Sequence, residues 1–273
     1  MNRYHFDEKR HLHTLDGKPL IGTSSACKII GKGDALTWWA AGMALEPFGF
    51  LNKNKHSAVV VKNALGEAYK RITALSPSEY ETTLLGAYRR HDEYKKTKAV
   101  EGTARHAALE LYVKQCMEND GAVIPYQGEN PFVAKFAIWA EENVARFLWS
   151  EMHCFSERLW VGGIADVGWK DKQGMIIAGD FKSSKEAYFD QFVQVAAYAL
   201  QIQENGGFDA NGNATFALPK EISGLCIIPF GSDDLSPEFE FDIDAYKHAF
   251  VEVVGVYRLS QAFSNKKGTA RAQ

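Results

Sequence analysis

Glu157-Arg-Leu-Trp-Val-Gly-Gly-Ile-Ala-Asp166, then Met175-Ile-Ile-Ala-Gly-Asp180-Phe-Lys182-Ser-Ser, then Gln191-Phe-Val-Gln194-Val-Ala-Ala-Tyr198 is the stretch that decides the fold. Two apolar segments each deliver one carboxylate, and a lysine follows the second by two residues. Alternation along a strand puts residues two apart on one face, so Asp180 and Lys182 point the same way. The turn between the segments sets where Asp166 falls. With Lys172-Gln173-Gly174 as a three-residue loop and Gly174 left-handed, Asp171 pairs with Met175. Counting back along that ladder sets Asp166 opposite Asp180. Like charges in that relation destabilise a sheet. A divalent cation between them reverses the sign, and oxygen ligands suit Mg²⁺ or Mn²⁺.

At 273 residues the chain can bury a large core, as one elaborated domain or a domain plus a subdomain. Its hydrophobic share of 46% and charged share of 24% are those of an ordinary globular protein. A net charge of −3 advertises no global affinity for nucleic acid, so any basic surface must be local. Cys27, Cys116, Cys154 and Cys226 lie far apart with no C-x-x-C pair, and read as reduced thiols of a cytoplasmic protein. No signal sequence and no 18-residue apolar run is expected to engage a membrane.

Outward from the central stretch, Asp16-Gly17 predicts a hairpin over Leu15–Pro19, and Thr23-Ser-Ser a cap for a short helix through Ile30. Helices are expected over 35–46, capped by Asp34, and over 53–75 and 77–95, split at Ser76-Pro77. The segment Arg89-Arg90-His-Asp-Glu-Tyr94-Lys95-Lys96-Thr-Lys98 is a solvated helix face or a place for phosphate contact and stacking. An Ala-rich helix follows over 101–117, on which His106 alone reads as a buried core residue. Pro131 opens an amphipathic helix expected to reach Trp149.

Strands are expected at 151–161, 162–170, 175–182, 222–230 and 237–242, and helices at 185–204 and 244–263. A mobile loop is expected over 205–213 and a frayed tail at 266–273. Helices first, then a mixed sheet flanked by helices, predict an α/β fold with an N-terminal helical elaboration. The expected division is 1–100 as a helical cover, 101–265 as the core and 266–273 as the tail.

Facing carboxylates with a lysine suit cleavage of a phosphodiester by a metal-activated water. No serine or cysteine nucleophile stands beside a histidine, and Gly162-Gly163 leads into a strand rather than the helix that nucleotide binding requires. Those glycines read as points of close approach. Glu157 reads as a support residue or a surface charge.

Gly163-Ile-Ala-Asp166, Asp180-Phe-Lys182-Ser183-Ser and Gln194-Val-Ala-Ala-Tyr198 resemble the G-x-x-D, D-x-K-[ST]-S and Q-x-x-x-Y signature of the RecB-like branch of PD-(D/E)xK nucleases. Gly102-Thr-Ala-Arg-His106-Ala-Ala-Leu-Glu110 resembles that branch's G-T-x-x-H-x-x-L-E helix. The match covers about a third of the chain, from Gly102 to Tyr198. The N-terminal part is similar in style to phage and mitochondrial genome-maintenance exonucleases.

The resemblance implies a restriction-endonuclease-like core, with His106, Asp166, Asp180 and the Phe181 carbonyl on Mg²⁺ or Mn²⁺ and Lys182 as the catalytic lysine. It also implies that Gln194 and Tyr198 support the site and contact DNA, with Ser183 beside the substrate. Arg89, Arg90, Lys95 and Lys96 are further candidates for DNA contact. Some relatives carry an iron–sulfur cluster held by one early and three clustered late cysteines. The spacing here departs from that pattern, so no iron–sulfur cluster is expected.

The function expected is a metal-dependent DNA exonuclease giving 5′-phosphate products at single-stranded or frayed ends. The alternatives are a duplex-end resecting nuclease, an endonuclease, or a DNA-binding scaffold. A recombinase or single-strand-binding protein stays open as a partner. Oligomeric state has no signature in the sequence.

Overall fold

Asp16 and Gly17 both turn the chain with positive φ, 50° and 73°, as a two-residue hairpin turn of the primed type demands. The computed structural model describes residues 2–31, 35–49, 57–217, 221–232 and 234–271, with backbone only for 35, 36 and 266–271. The turn joins strands Leu12–Leu15 (β2) and Lys18–Pro19 (β3), and Tyr4–Asp7 (β1) pairs with β2 to complete a small antiparallel sheet. Its inner face buries Tyr4, Phe6 and Leu15 together with Leu20 and Phe155. Tyr4 Oη lies 2.6 Å from His13 Nδ1 and 3.1 Å from His153 Nδ1, so both buried imidazoles share one hydroxyl.

Ile21–Gly22 (β4) then leaves the hairpin, and helix Thr23–Cys27 (α1) follows. Thr23 does not cap this helix, as the sequence suggested; Gly22 holds the cap position. The Thr23 hydroxyl instead donates to the Gly162 carbonyl and accepts from Gln201 Nε2.

The chain divides into two units, one of residues 1–30 and 102–273, the other of 31–101. The 1–100 segment therefore does not fall in a single unit, because its first 30 residues group with the larger one, where Ile21–Gly22 pairs with Val161 and Gly162. The smaller unit holds Ala35–Leu45 (α2), a 3₁₀ turn at Glu46–Phe48, Ala58–Thr73 (α3) and the first part of Pro77–Glu118 (α4). Asp34 and residues 53–56 lie outside the described residues. Ser76 and Glu79 form a reciprocal cap at the start of α4. Two helices were expected over 77–117, and one is found. No proline interrupts the 95–101 stretch, and the glycine at 102 is tolerated within the turn.

In the larger unit, Asn130 caps Pro131–Asn143 (α5) by accepting from Phe132 and Val133 N–H. The helix does not reach Trp149. Val144–Ser156 is a strand (β5), followed by Val161–Asp171 (β6) and Ile176–Lys182 (β7). Register shifts in β5 put Phe147 in the apolar cluster on one face of the sheet and Trp149 in that on the other. Apolar residues at 144, 147, 148 and 149 thereby imitate helical spacing.

Phe189–Asn205 (α6) follows, then the short strands Gly207–Phe208 (β8) and Ala214–Phe216 (β9). The 205–213 segment, expected as a loop, thus contains β8 and a turn closed by Asp209. Asp209 accepts from the N–H groups of Asn211 and Asn213, and Phe208 pairs with His153. Gly224–Pro229 (β10), Glu238–Glu240 (β11) and Ile243–Arg271 (α7) complete the chain. The backbone expected to fray from 266 continues as helix to Arg271.

The result is a mixed α/β fold whose central, mostly antiparallel sheet has the order β11-β10-β7-β6-β5-β8-β9, with β4 beside β6. Only β7–β10 and β4–β6 run parallel among the described strands. α4 and α5 cover one face through Leu109, Phe136 and Trp169, and α6 covers the other through Ala196, Ile202 and Ile227. α7 packs on α6 through Phe250, Val254 and Val193. All four cysteines are buried and free. Among the described residues no helix is long and apolar enough to cross a membrane.

Burial first, then His153 and His11 nearby, lowers the His13 pKa from 6.5 to about 3. The unfolded chain binds that proton more readily, so the native state is favoured fully above about pH 6.5 and loses this contribution as pH falls toward 3. His13→Gln should therefore flatten the decline of the urea midpoint between pH 6.5 and 4. Equal acid slopes in both proteins would show that His13 is not the buried neutral group.

Candidate active site

β6 is bonded along one edge to β5 over its whole length, but its other edge is shared. β7 pairs with it from Val167 to Lys170, and β4 pairs at Val161 and Gly162. Asp166 lies in the fork between them. The hairpin register is the one the turn demanded: Gly174 has φ 94°, Asp171 N–H donates to Met175 O at 2.9 Å, and Val167 pairs with Gly179. One further step would set Asp166 against Asp180, and there the ladder ends. The Phe181 N–H donates at 3.0 Å to Asp166 Oδ2.

Side-chain alternation also breaks here. Ala165 packs in the cluster beneath α6 and Val167 in that beneath α5, although they are two residues apart. Across the strand pair Glu151 has φ 49°, a left-handed conformation costly for a residue with a Cβ.

α4 supplies His106, whose Nε2 lies 3.0 Å from Asp166 Oδ2. One turn earlier a Cβ on Gly102 would stand 3.0 Å from the Ser183 Cβ, so a glycine lets the helix approach the end of β7. Arg105 fixes the helix by donating to the Phe230 carbonyl at 2.8 Å. Asp180 is 1% exposed and in ion contact with Lys182 Nζ, yet neither of its oxygens accepts a hydrogen bond of good geometry. From α6, Gln194 Nε2 donates to Tyr198 Oη at 2.7 Å. A Cβ on Gly163 would fall 2.6 Å from the Tyr198 ring and 2.9 Å from Thr23 Oγ1. Gly163 thus admits the protein's own α1 and α6, and Gly162 admits His13 and Leu20.

His106, Asp166, Asp180, Phe181 and Lys182 are therefore brought together, with Gln194 and Tyr198 beside them and Ser183 at the end of β7. Arg89, Arg90, Lys95 and Lys96 belong to the other unit. There Arg90 pairs with Glu46 at 3.1 Å and Lys95 lies over the Trp39 ring. Glu157 is a surface charge paired with Arg3 at 2.5 Å. Two acids went unread in the sequence. Glu110, Glu151 and His106 offer ligand atoms within 4.8 Å of one another. Glu110 stands four residues from His106 on one helix face, a visible signal. Nothing in the sequence marks Glu151, because its place depends on the bulged register of β5.

Burial, and then the Asp166 charge, pushes the Asp180 carboxyl above the usual carboxylate range. Burial alone would raise Asp166 as well, but the His106 hydrogen bond and the Lys182 charge hold it below its ordinary value. The bond to Asp166 raises His106. Asp180 and Asp166 raise Lys182 against the opposing effect of burial. Burial followed by Asp166 raises Glu151. The two cationic side chains only partly offset three carboxyl groups. Glu151 Oε1 is buried without a hydrogen bond, and the Asp180 oxygens make none of good geometry beside the ion contact with Lys182. Carboxylate oxygens with one imidazole form a donor set that fits Mg²⁺ or Mn²⁺.

No protein-family model matches the chain, and no curated protein matches it.

A cation held by Asp180 should stabilise the fold. At one hundred times its Kd a ligand contributes about 2.7 kcal/mol, roughly 5–10 °C in Tm for a chain of this size. Saturating Mn²⁺ should raise the wild-type melting temperature by that much and leave Asp180→Asn nearly unmoved. Equal shifts in the two proteins would place the cation elsewhere.

Proposed function

We propose that the chain is a metal-dependent DNA exonuclease of the PD-(D/E)xK superfamily, RecB-like branch, with a restriction-endonuclease-like core, that yields 5′-phosphate products. The observation that carries this is the convergence of His106, Asp166, Asp180 and Lys182 from α4, β6 and β7 on one buried point. That arrangement supports binding of a cation and a phosphodiester together.

His106, Asp166, Asp180 and the Phe181 carbonyl would hold Mg²⁺ or Mn²⁺. The bound ion would polarise the phosphodiester and lower the pKa of a coordinated water. Lys182, kept protonated by Asp180 and Asp166, presents an ammonium that orients the attacking water and stabilises charge on the phosphoryl oxygens. The Phe181 N–H fixes Asp166 Oδ2, so the other carboxylate oxygen is left for the cation. Gln194 and Tyr198 hold each other as a polar edge beside Asp166. Single-stranded or frayed DNA ends in replication, recombination or repair are the substrate class, and a cytoplasmic setting accords with the four free thiols.

Lys182→Ala should lower the rate of Mg²⁺-dependent cleavage by about 10²–10³-fold, with an unchanged circular dichroism spectrum showing that the fold is kept. Wild-type rates in that variant would remove Lys182 from the mechanism. Linear single strands should be digested and circular ones left intact, whereas cleavage of circles would make the enzyme an endonuclease.

Charge reversal of Arg89, Arg90, Lys95 and Lys96 should weaken DNA binding and flatten its dependence on salt by nearly one unit of log–log slope per lost phosphate contact. An unchanged slope would exclude these side chains from the interface.

A further inference from the structure

The fork that exposes Asp166 also opens a cavity of about 680 Å³. That volume falls within the range of small-molecule sites, roughly 300–1,000 Å³. One end of the cavity is the candidate active site, represented by Asp166, Glu151, Gln194 and Tyr198. Gly162 and Gly163 of β6 line it, and the remaining walls come from the N-terminal hairpin (His11 to His13, Pro19 and Leu20), β4, α1 and α7.

The lining changes character along its length. The carboxylates, Asp166 and Glu151, are confined to the active-site end. Beyond them come the hydroxyls of Ser24 and Ser25, the phenol of Tyr257, the guanidinium of Arg258 and the amide of Gln261. A chain with net charge −3 thus has a cavity wall free of carboxylates where it leads away from the site. Hydroxyl, amide and guanidinium donors with one aromatic ring suit the phosphate, sugar and base of a nucleotide.

The walls are built to stay in place. Thr23, 1% exposed, ties α1 to β6 through the Gly162 carbonyl at 3.1 Å, and Gln201 of α6 donates to the Thr23 hydroxyl at 2.8 Å. Arg258 is oriented from α7 by donating one Nη to the Leu159 carbonyl at 2.5 Å. Its remaining N–H groups are available for a second acceptor.

We propose that this cavity is a nucleotide subsite. It receives the one or two nucleotides next to the scissile phosphate, with Ser24, Ser25 and Arg258 holding the adjoining phosphate and Tyr257 against a base or sugar. The proposal rests on the nuclease reading for the identity of the ligand, but its geometry is that of the cavity alone. A strand occupying it would lie over Gly162 and Gly163 and meet Asp166 at the fork.

The test uses the full chain carrying Lys182→Ala, so that substrate is not consumed, and the 5′-phosphorylated dinucleotide pdTpdT as the probe, titrated with Ca²⁺ present. Two substitutions at exposed positions are added separately: Ser24→Trp to fill the cavity and Arg258→Gln to remove its cation. Each should weaken pdTpdT binding by about tenfold or more, and Arg258→Gln should also reduce the salt slope by about one. In the otherwise unaltered protein each should raise KM on linear single-stranded DNA while kcat stays within about threefold.

Unchanged pdTpdT affinity in both variants would overturn the subsite. If the wild type cleaves DNA and the variants retain its KM, the subsite fails and the nuclease reading stands. If no nucleic acid is cleaved under any divalent ion but pdTpdT binding is lost in both variants, the nuclease reading fails and the subsite stands. Loss of KM discrimination with an unchanged circular dichroism spectrum and melting temperature separates lost contact from lost folding.

Discussion

Two carboxylates cannot share a buried site without positive charge to hold them there. Asp180 is almost fully enclosed, and burial followed by the neighbouring Asp166 charge raises the cost of ionising it. Lys182 and His106 bring the first compensation, one to each acid. Asp180 Oδ1 and Glu151 Oε1 are left over, and in the proposed nuclease a divalent cation would bring the second. Placement of His106, burial of Lys182 and the close approach of α4 at Gly102 all follow from the need to surround this pair.

The fold supplies the pair through a divided strand edge. β6 gives one part of its edge to β7 and another to β4, and Asp166 stands where neither claims it. The backbone pays no visible penalty at Asp166 because its carboxylate takes the Phe181 N–H that a β6 carbonyl would otherwise receive. The N-terminal hairpin therefore has a part in the site although it brings no proposed ligand. It delivers β4 and α1 to the vacated edge, and Thr23 locks that arrangement to Gly162 and Gln201. The same fork creates the cavity that extends from the acids between α1 and α7.

Much of this was legible because it depends on local rules. Gly174 fixed the hairpin register, the alternation of β7 fixed Asp180 and Lys182 on one face, and the four-residue spacing of Gln194 and Tyr198 placed them together. His106 illustrates the limit of local reasoning: its helix alone suggests a core residue, and only the motif resemblance suggested a ligand. The rest depended on long-range packing. Residues 144–149 read as helix because bulges in β5 disguise a strand, and the same irregularity hid Glu151. β8 and β9 looked like loop because two- and three-residue strands are too short to show a period. β4, also two residues long, gave no sign that it would pair with a strand some 140 positions away.

A time course on end-labelled single- and double-stranded linear DNA, with Mg²⁺ or Mn²⁺ against a chelated control, tests the central claim most directly. Metal-dependent release of short products bearing 5′-phosphates, absent in the chelated control, is the predicted result. Absence of turnover on every DNA substrate with either ion, or turnover that persists in the chelator, would contradict it.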